Sequence, residues 1–269
     1  MIMGRRFPLY RSPDGDIAPR RRQQGSVTQP WIDIDGAPDS PLLLIADHAS
    51  NHVPPEVELG IKPDLLDLHI ALDIGVAELG GGLCAKLGCP GILGGVSRLV
   101  VDLNREEDAP HIIPTASDGH AIPGNAIGHA ERMARIERYW KPYHARIAEQ
   151  IARQRPAMLI SLHSFTPQLA TRPEEARPWE VGILYNEDDR AARIAIPMLE
   201  SRGIAVGDQL PYSGKLLNAT MNLHGEANEI AYLGIEMRQD VMGTARCRAV
   251  EDALIDAIRR CAAALPVGS

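Results

Sequence analysis

Four consecutive apolar residues, Leu42 to Ile45, lie between Pro41 and a polar cluster, and they limit most tightly what this chain can fold into. A short unbroken apolar run predicts a strand buried on both faces, as in a sheet covered by helices. In such sheets ligands gather beyond the carboxyl ends of the strands. Here that end carries Asp47, His48, Ser50, Asn51 and His52, all able to bind a metal or a substrate. Pro54 and Pro55 keep a helix from starting at once. A second run, Ala157–Leu162, repeats the design and leads into His163-Ser164-Phe165-Thr166-Pro167. A third, Ile230–Met237, carries Glu236 near its end, with Arg238 two residues on and so on the same face.

Between these runs the spacing predicts helix around Pro63–Leu72, where Leu65, Leu66, His69, Ile70 and Asp73 recur at helical steps. Gly75 and Gly80-Gly81-Gly82 weaken it into two pieces about a soft joint, and His69 and Asp73, four apart, fall on one helical face. Ile92-Leu93 and Leu99–Leu103 read as strands. Residues 106–125 have no periodicity and many turn formers, which in a compact domain marks a functional loop. A helix follows from Gly128 to Gln154, with Met133, Ile136, Trp140, Tyr143, Ile147 and Ile151 as its core stripe and Pro142 as a kink or break. Val181–Tyr185 and Ile204–Val206 read as strands flanking a helix capped by Asp188, and Gly243–Leu265 as a closing amphipathic helix. Strands alternating with helices predict one α/β domain, a sheet between two helical layers, over residues 27–269.

Charge and cysteine usage narrow the function classes. The net charge is −7, and the Arg-rich first 26 residues, with six arginines and two acids, leave 22 basic against 33 acidic residues. So acidic a body is a poor nucleic-acid partner, and no apolar run is long enough to span a bilayer. Residues 1–26 lack periodicity and read as a disordered leader. Cys84, Cys89, Cys247 and Cys261 form no CxxC pair and read as reduced thiols of a cytoplasmic protein.

Three strands thus end in His48, His163 and Glu236. A zinc hydrolase needs two or three nitrogen or oxygen ligands, an open position and a carboxylate to take a proton from water. The histidines supply imidazoles, Glu236 a base, and Asp73 or Asn51 a further ligand. There is no HExxH, GxSxG or P-loop, which removes the helix-borne zincins, the commonest serine hydrolases and nucleotide binding. Strand-end histidines that only satisfy loop carbonyls are the competing account.

The motifs His48-Ala-Ser-Asn51, His69-Ile-Ala-Leu-Asp73-Ile-Gly75, Ser97-Arg-Leu-Val-Val-Asp-Leu-Asn-Arg105, Ser161-Leu-His-Ser-Phe165 and Ile235-Glu-Met-Arg238 resemble those of N-formylglutamate amidohydrolases, in family order. The resemblance implies a phosphorylase/hydrolase-like three-layer α/β/α fold with a mixed central sheet, related to zinc carboxypeptidases and aspartoacylase-type deacylases. It implies one divalent metal, zinc, on His48 and His163. The relatives' middle ligand, a glutamate, falls at Asn51, a poor zinc ligand, so Asp73 takes the third place. By the same resemblance Glu236 is the general base, Arg98 polarises the scissile carbonyl, and Asn104 with Arg105 grips a substrate carboxylate. Ser164, Tyr212, His224 and Arg238 are the further substrate-binding candidates. Seven residues of extended strand span roughly 23 Å, so Arg98 and Arg105 share a site only if the chain bends between them.

The expected substrate is a small anionic N-acyl amino acid, with N-formylglutamate foremost. A related metallopeptidase or cell-wall amidase, and a non-catalytic binding protein on the same fold, are the alternatives. Neither nucleic acid nor membrane is an expected partner, and the sequence sets no oligomeric state.

Overall fold

A computed structural model of the chain describes residues 29–265. The Arg-rich stretch read as a leader lies outside the described residues. Seven strands form one sheet: β1 (Trp31–Ile34), β2 (Leu42–Ala46), β3 (Gly91–Gly94), β6 (Met158–Phe165), β7 (Val181–Leu184), β8 (Val206–Asp208) and β9 (Ala231–Arg238). The small strands β4 (Ala116–Ser117) and β5 (His120–Ala121) pair separately in the long loop. The order across the sheet is β1-β3-β2-β6-β9-β7-β8. β3, β2, β6 and β9 run parallel, while β1 and the β7–β8 pair run against their neighbours, so the sheet is mixed.

Alternation along the strands divides the core in two. Leu42, Leu44, Met158, Ile160, Leu162, Leu233 and Ile235 point to one face. There they meet α1 (Val76–Leu87), α4 (Arg190–Ser201) and α6 (Ala245–Ala264). Leu43, Ile45, Leu159 and Tyr232 point to the other, under α2 (His129–Arg135), α3 (Lys141–Gln154) and α5 (Ala219–His224). With both faces covered, a strand has no polar side to show, hence the unbroken apolar runs.

Three local expectations are corrected. Leu99–Leu103 is not a strand: Val100 N donates to the Ser97 carbonyl, and the apolar run is a buried turn. Residues 63–72 form a 3₁₀ turn at Pro63–Asp67 and then irregular turns, with α1 starting only after Gly75 in the left-handed region at φ 81°. His69 and Asp73 therefore share no helical face and go to different partners. Pro142 does not split its helix. The chain passes from α2 to α3 through a π turn at Ile136–Trp140, and Pro142 stands in the first turn of α3, where its missing N–H leaves little unpaired.

Candidate active site

Asp47 directly follows β2, His163 lies on β6 and Glu236 on β9, and all three follow the alternation toward the face under α3 and α5. In the parallel register of β6 and β9, His163 stands beside Glu236. The segment 96–105, a turn and not a strand, folds back over these strand ends and brings in Arg98, Asp102, Asn104 and Arg105. Asp73 arrives just before α1, its backbone N–H held by the His48 carbonyl at 2.9 Å.

These side chains interlock. The His163 Nδ1 lies 3.0 Å from Asp73 Oδ2, which also accepts from the Ser164 backbone N–H. The His48 Nε2 lies 2.7 Å from Asp102 Oδ1, while its Nδ1 faces Asp73 Oδ2 at 3.5 Å without hydrogen-bond alignment. The His163 Nε2 faces Asp47 Oδ2 at 3.4 Å, again unaligned, while Asp47 Oδ1 accepts from Tyr143 and Thr220 hydroxyls. Arg98 donates to Asp73 at 3.2 Å and to Asp102 at 3.1 Å, and Arg105 Nε lies 3.7 Å from the same Asp102 oxygen. The chain does bend between the two arginines, and they converge on Asp102.

Three buried atoms in this cluster have no hydrogen-bond partner: His48 Nδ1, Asp47 Oδ2 and Glu236 Oε2. An orphaned buried polar atom costs about 1–3 kcal/mol, so three together call for a missing partner. A divalent metal fits. One atom each from His48, Asp73 and His163 lies within 4.8 Å of the other two. The separations of 3.0 and 3.5 Å bracket the edge of about 3.3 Å that a tetrahedron with bonds near 2 Å requires. Each histidine also turns its far nitrogen to a carboxylate, His48 to Asp102 and His163 to Asp47, the arrangement that fixes tautomer and ring direction in metal-ligating imidazoles.

The charge balance agrees. Burial alone would raise Asp73, but His48, His163 and Arg98 outweigh it and hold its carboxyl far below the usual range. Burial opposes the charge on His163, yet Asp47 and Asp73 raise it well above an ordinary imidazole. His48 is raised as well, Asp102 and Asp73 overcoming burial and the nearby Arg98. The flanking carboxylates thus favour the charged form of both imidazoles, and a cation entering the cluster competes with protons for them. Glu236 differs: burial lifts its carboxyl to about 7, His163 and Arg98 oppose the rise and the Asp73 charge adds to it.

The Asp102–Arg105 segment has no ladder to hold it; besides the Asp102 N–H on the Ile112 carbonyl at 2.6 Å, side chains hold it. His144 Nε2 donates to the Leu103 carbonyl at 3.0 Å, so its Nδ1 accepts from His224 Nε2 at 2.9 Å, and burial keeps both rings neutral by lowering them to about 4. Trp140 Nε1 donates to the Arg105 carbonyl, and the Thr220 N–H fixes Asn104 Oδ1 at 3.0 Å.

The other residues expected here are dispersed. Asn51 turns its amide to the Leu66 carbonyl and Asp67, away from His48. His69 pairs with Asp118 at 3.1 Å. The Ser164 hydroxyl donates to the Ile74 carbonyl, and His224 sits behind the cluster on His144. Arg238 is taken by Asp240 and the Arg177 carbonyl, so the cation acting on Glu236 is Arg98. The Tyr212 hydroxyl accepts from Arg177, whose guanidinium lies 5.0 Å over its ring. Two carboxylates join the site in orienting roles that the sequence does not assign them: Asp47, next to His48, and Asp102, inside the Ser97–Arg105 motif.

The profile of the N-formylglutamate amidohydrolase family matches residues 40–242. A curated N-formylglutamate deformylase of Pseudomonas aeruginosa is 31% identical over 144 residues, 46% of this chain. The match spans about half of that relative, 52% of its length. A crystal structure of a gene product of Agrobacterium tumefaciens superposes with a TM-score of 0.81 at 28% identity, over 88% of this chain and 96% of the other. That of an N-formylglutamate amidohydrolase from Ralstonia eutropha gives 0.65 over 88% and 98%, and at 20% identity the likeness is one of fold.

Proposed function

Because this chain belongs to the N-formylglutamate amidohydrolase family, we propose that it hydrolyses the amide of a small N-acyl amino acid with a free α-carboxylate, using one divalent metal. The observation that carries the reading is the buried convergence of one donor atom each from His48, Asp73 and His163, with His48 Nδ1 left unpaired. These three residues would hold the metal, with zinc the ion best suited to two imidazoles and a carboxylate. When bound, it supplies a Lewis acid that polarises a carbonyl and lowers the pKa of water.

The protein's own groups do the rest. Asn104 and Arg105 hold the substrate's α-carboxylate, Arg105 through a planar fork that lysine lacks. Arg98, 27% exposed at the mouth and anchored on Asp73 and Asp102, donates to the carbonyl oxygen as it becomes an oxyanion, a donor of about 3 kcal/mol. Glu236 takes the proton of the attacking water and returns it to the departing amine. A carboxyl near 7 suits both halves of that transfer at neutral pH. N-formylglutamate is the first substrate to try, on the strength of the family and of the Pseudomonas aeruginosa relative.

Metal analysis of the purified protein should give one equivalent of divalent ion, lost in His48→Ala and in His163→Ala. Stoichiometric zinc in both variants would refute the site. Formate release should require the metal and should fall when the α-carboxylate is replaced by an α-amide; equal rates on the two would remove the clamp.

A further inference from the structure

Across β9 from the metal cluster, the loop between β8 and α5 brings a second polar pair to the mouth of the site. Gly182 on β7 stands opposite Glu236. A Cβ there would touch the Glu236 Cβ at 3.2 Å and collide with the Leu210 carbonyl oxygen. Glycine at 182 therefore lets Leu210 lie over β7, on the face that carries Glu236, and Tyr212 follows two residues on. The loop is tied down on both sides of Tyr212. Gln209 donates to the Tyr185 carbonyl at 2.6 Å and accepts from the Gly214 N–H at 2.8 Å. Gly214 itself lies so close to the Tyr185 backbone that no Cβ would fit.

A buried arginine decides what the Tyr212 hydroxyl can do. The Arg177 side chain is 1% exposed. Its Nη1 donates to the Thr166 carbonyl at 3.3 Å and to the Tyr212 hydroxyl at 3.0 Å, while Nε and Nη2 donate to Glu175. Thr166 directly follows β6, the strand of His163, and the Arg177 carbonyl is held by Arg238 at the end of β9. The pair thus sits over the ends of the two strands that carry His163 and Glu236. Having accepted from Arg177, the phenol oxygen has its own proton left to donate, and no acceptor among the described residues takes it. Burial raises the phenol above its ordinary pKa against the pull of Arg177, so the proton stays in place at neutral pH. Glu236 and Arg98 lie near enough to act on it in opposite senses.

Resting on the proposed amidohydrolase reading, we infer that Tyr212 donates this hydrogen bond to a carboxylate on the substrate's side chain, and that Arg177 is the residue that positions it. The other arms of the substrate are taken. Asn104 and Arg105 hold the α-carboxylate on the His163 side, where Asn104 Nδ2 lies 3.5 Å from His163 Nε2. Arg98 takes the carbonyl oxygen. The side chain is the arm that remains, and Tyr212 reaches the mouth from the opposite side, over β7. A carboxylate gains most there. The Arg177 guanidinium polarises the hydroxyl, and a hydrogen bond to an ionised acceptor is about twice as strong as one between neutral groups.

The test compares kcat/KM of the metal-loaded protein on N-formyl-L-glutamate and on N-formyl-L-norleucine, whose side chain has similar length and no polar atom. Wild type should favour the acid. Tyr212→Phe should lower that preference by about 10–100-fold, the weight of a hydrogen bond to a charged group, and mainly through KM. A wild type without acid preference overturns the inference, as does an unchanged preference in Tyr212→Phe. An equal loss on both substrates overturns it too, since the hydroxyl would then serve a part that both share. Arg177→Gln should lower the preference in the wild-type background and no further in Tyr212→Phe; a second loss of the same size overturns its positioning role. Should Arg177→Gln not fold, Arg177→Lys, which keeps the charge but not the fork, answers the same question. Absence of hydrolysis on every N-formyl amino acid would refute the amidohydrolase reading instead. Calorimetric binding of L-glutamate against L-norleucine, in wild type and Tyr212→Phe, then decides the subsite by the same shift in ratio.

Discussion

On the face of the sheet covered by α1, α4 and α6, β6 and β9 present Met158, Ile160, Leu162, Leu233, Ile235 and Met237. On the face under α3 and α5 the same strands present Leu159, Ser161, His163, Tyr232, Gly234 and Glu236. Both sets are buried, His163 at 7% exposure and Glu236 at 8%. Burial therefore does not tell the working face from the supporting one; unmet hydrogen bonding does. The first face is closed mainly by hydrocarbon, whereas the second ends in the ionisable His163 and Glu236, and Glu236 keeps an oxygen with no protein partner among the described residues.

That contrast can be broken from either side. The largest effect should come from Glu236→Gln, which removes the proton acceptor and should lower kcat by about 10²–10⁴-fold with metal content unchanged. The wild-type rate should fall as pH drops through the Glu236 pKa, because the base must be ionised. A bound cation favours the carboxylate, so this limb should lie at or below about 7, and it should vanish in the variant. Near-normal turnover by Glu236→Gln would end the role. On the other face, Leu233→Ala should cost about 2–5 kcal/mol in denaturant unfolding and leave metal stoichiometry and KM alone; loss of metal there would show that the faces are not independent. The smallest effect is expected from Asp102→Asn, which keeps the shape beside His48 but not the charge. Zinc affinity should weaken by about 10–100-fold in a competitive chelator titration, and unaltered affinity would detach Asp102 from the metal.

The strands that carry the site are legible in the sequence because a two-face-buried strand must be an apolar run, and its polar end is where the run stops. His48, His163 and Glu236 stand out for that reason. The same rule misreads Leu99–Leu103: a turn packed beneath α2 and α3 buries the same residue types as a strand, and period cannot separate them. That error matters because it straightens the segment whose bend brings Arg98 and Arg105 to one carboxylate. The orienting roles of Asp47 and Asp102 are not legible in the sequence because a carboxylate that orients an imidazole lies far from it in sequence, His48 and Asp102 being 54 residues apart. Arg238 misleads in the opposite way, since strand alternation fixes where its side chain starts and not where four flexible bonds carry its charge.

The π turn at Ile136–Trp140 also governs the clamp. Such a turn holds one residue more than the α turn it replaces, and each residue turns a helix by about 100°. Trp140 closes that turn and His144 follows it by four positions, and these two rings grip the carbonyls of Arg105 and Leu103. The supernumerary residue works like an extra tooth on a gear: it sets the phase in which both rings reach the segment they hold. Along this helix the count of residues is thus as consequential as their identity, and a one-residue deletion there would swing both rings off the loop while leaving every side chain of the site in the sequence.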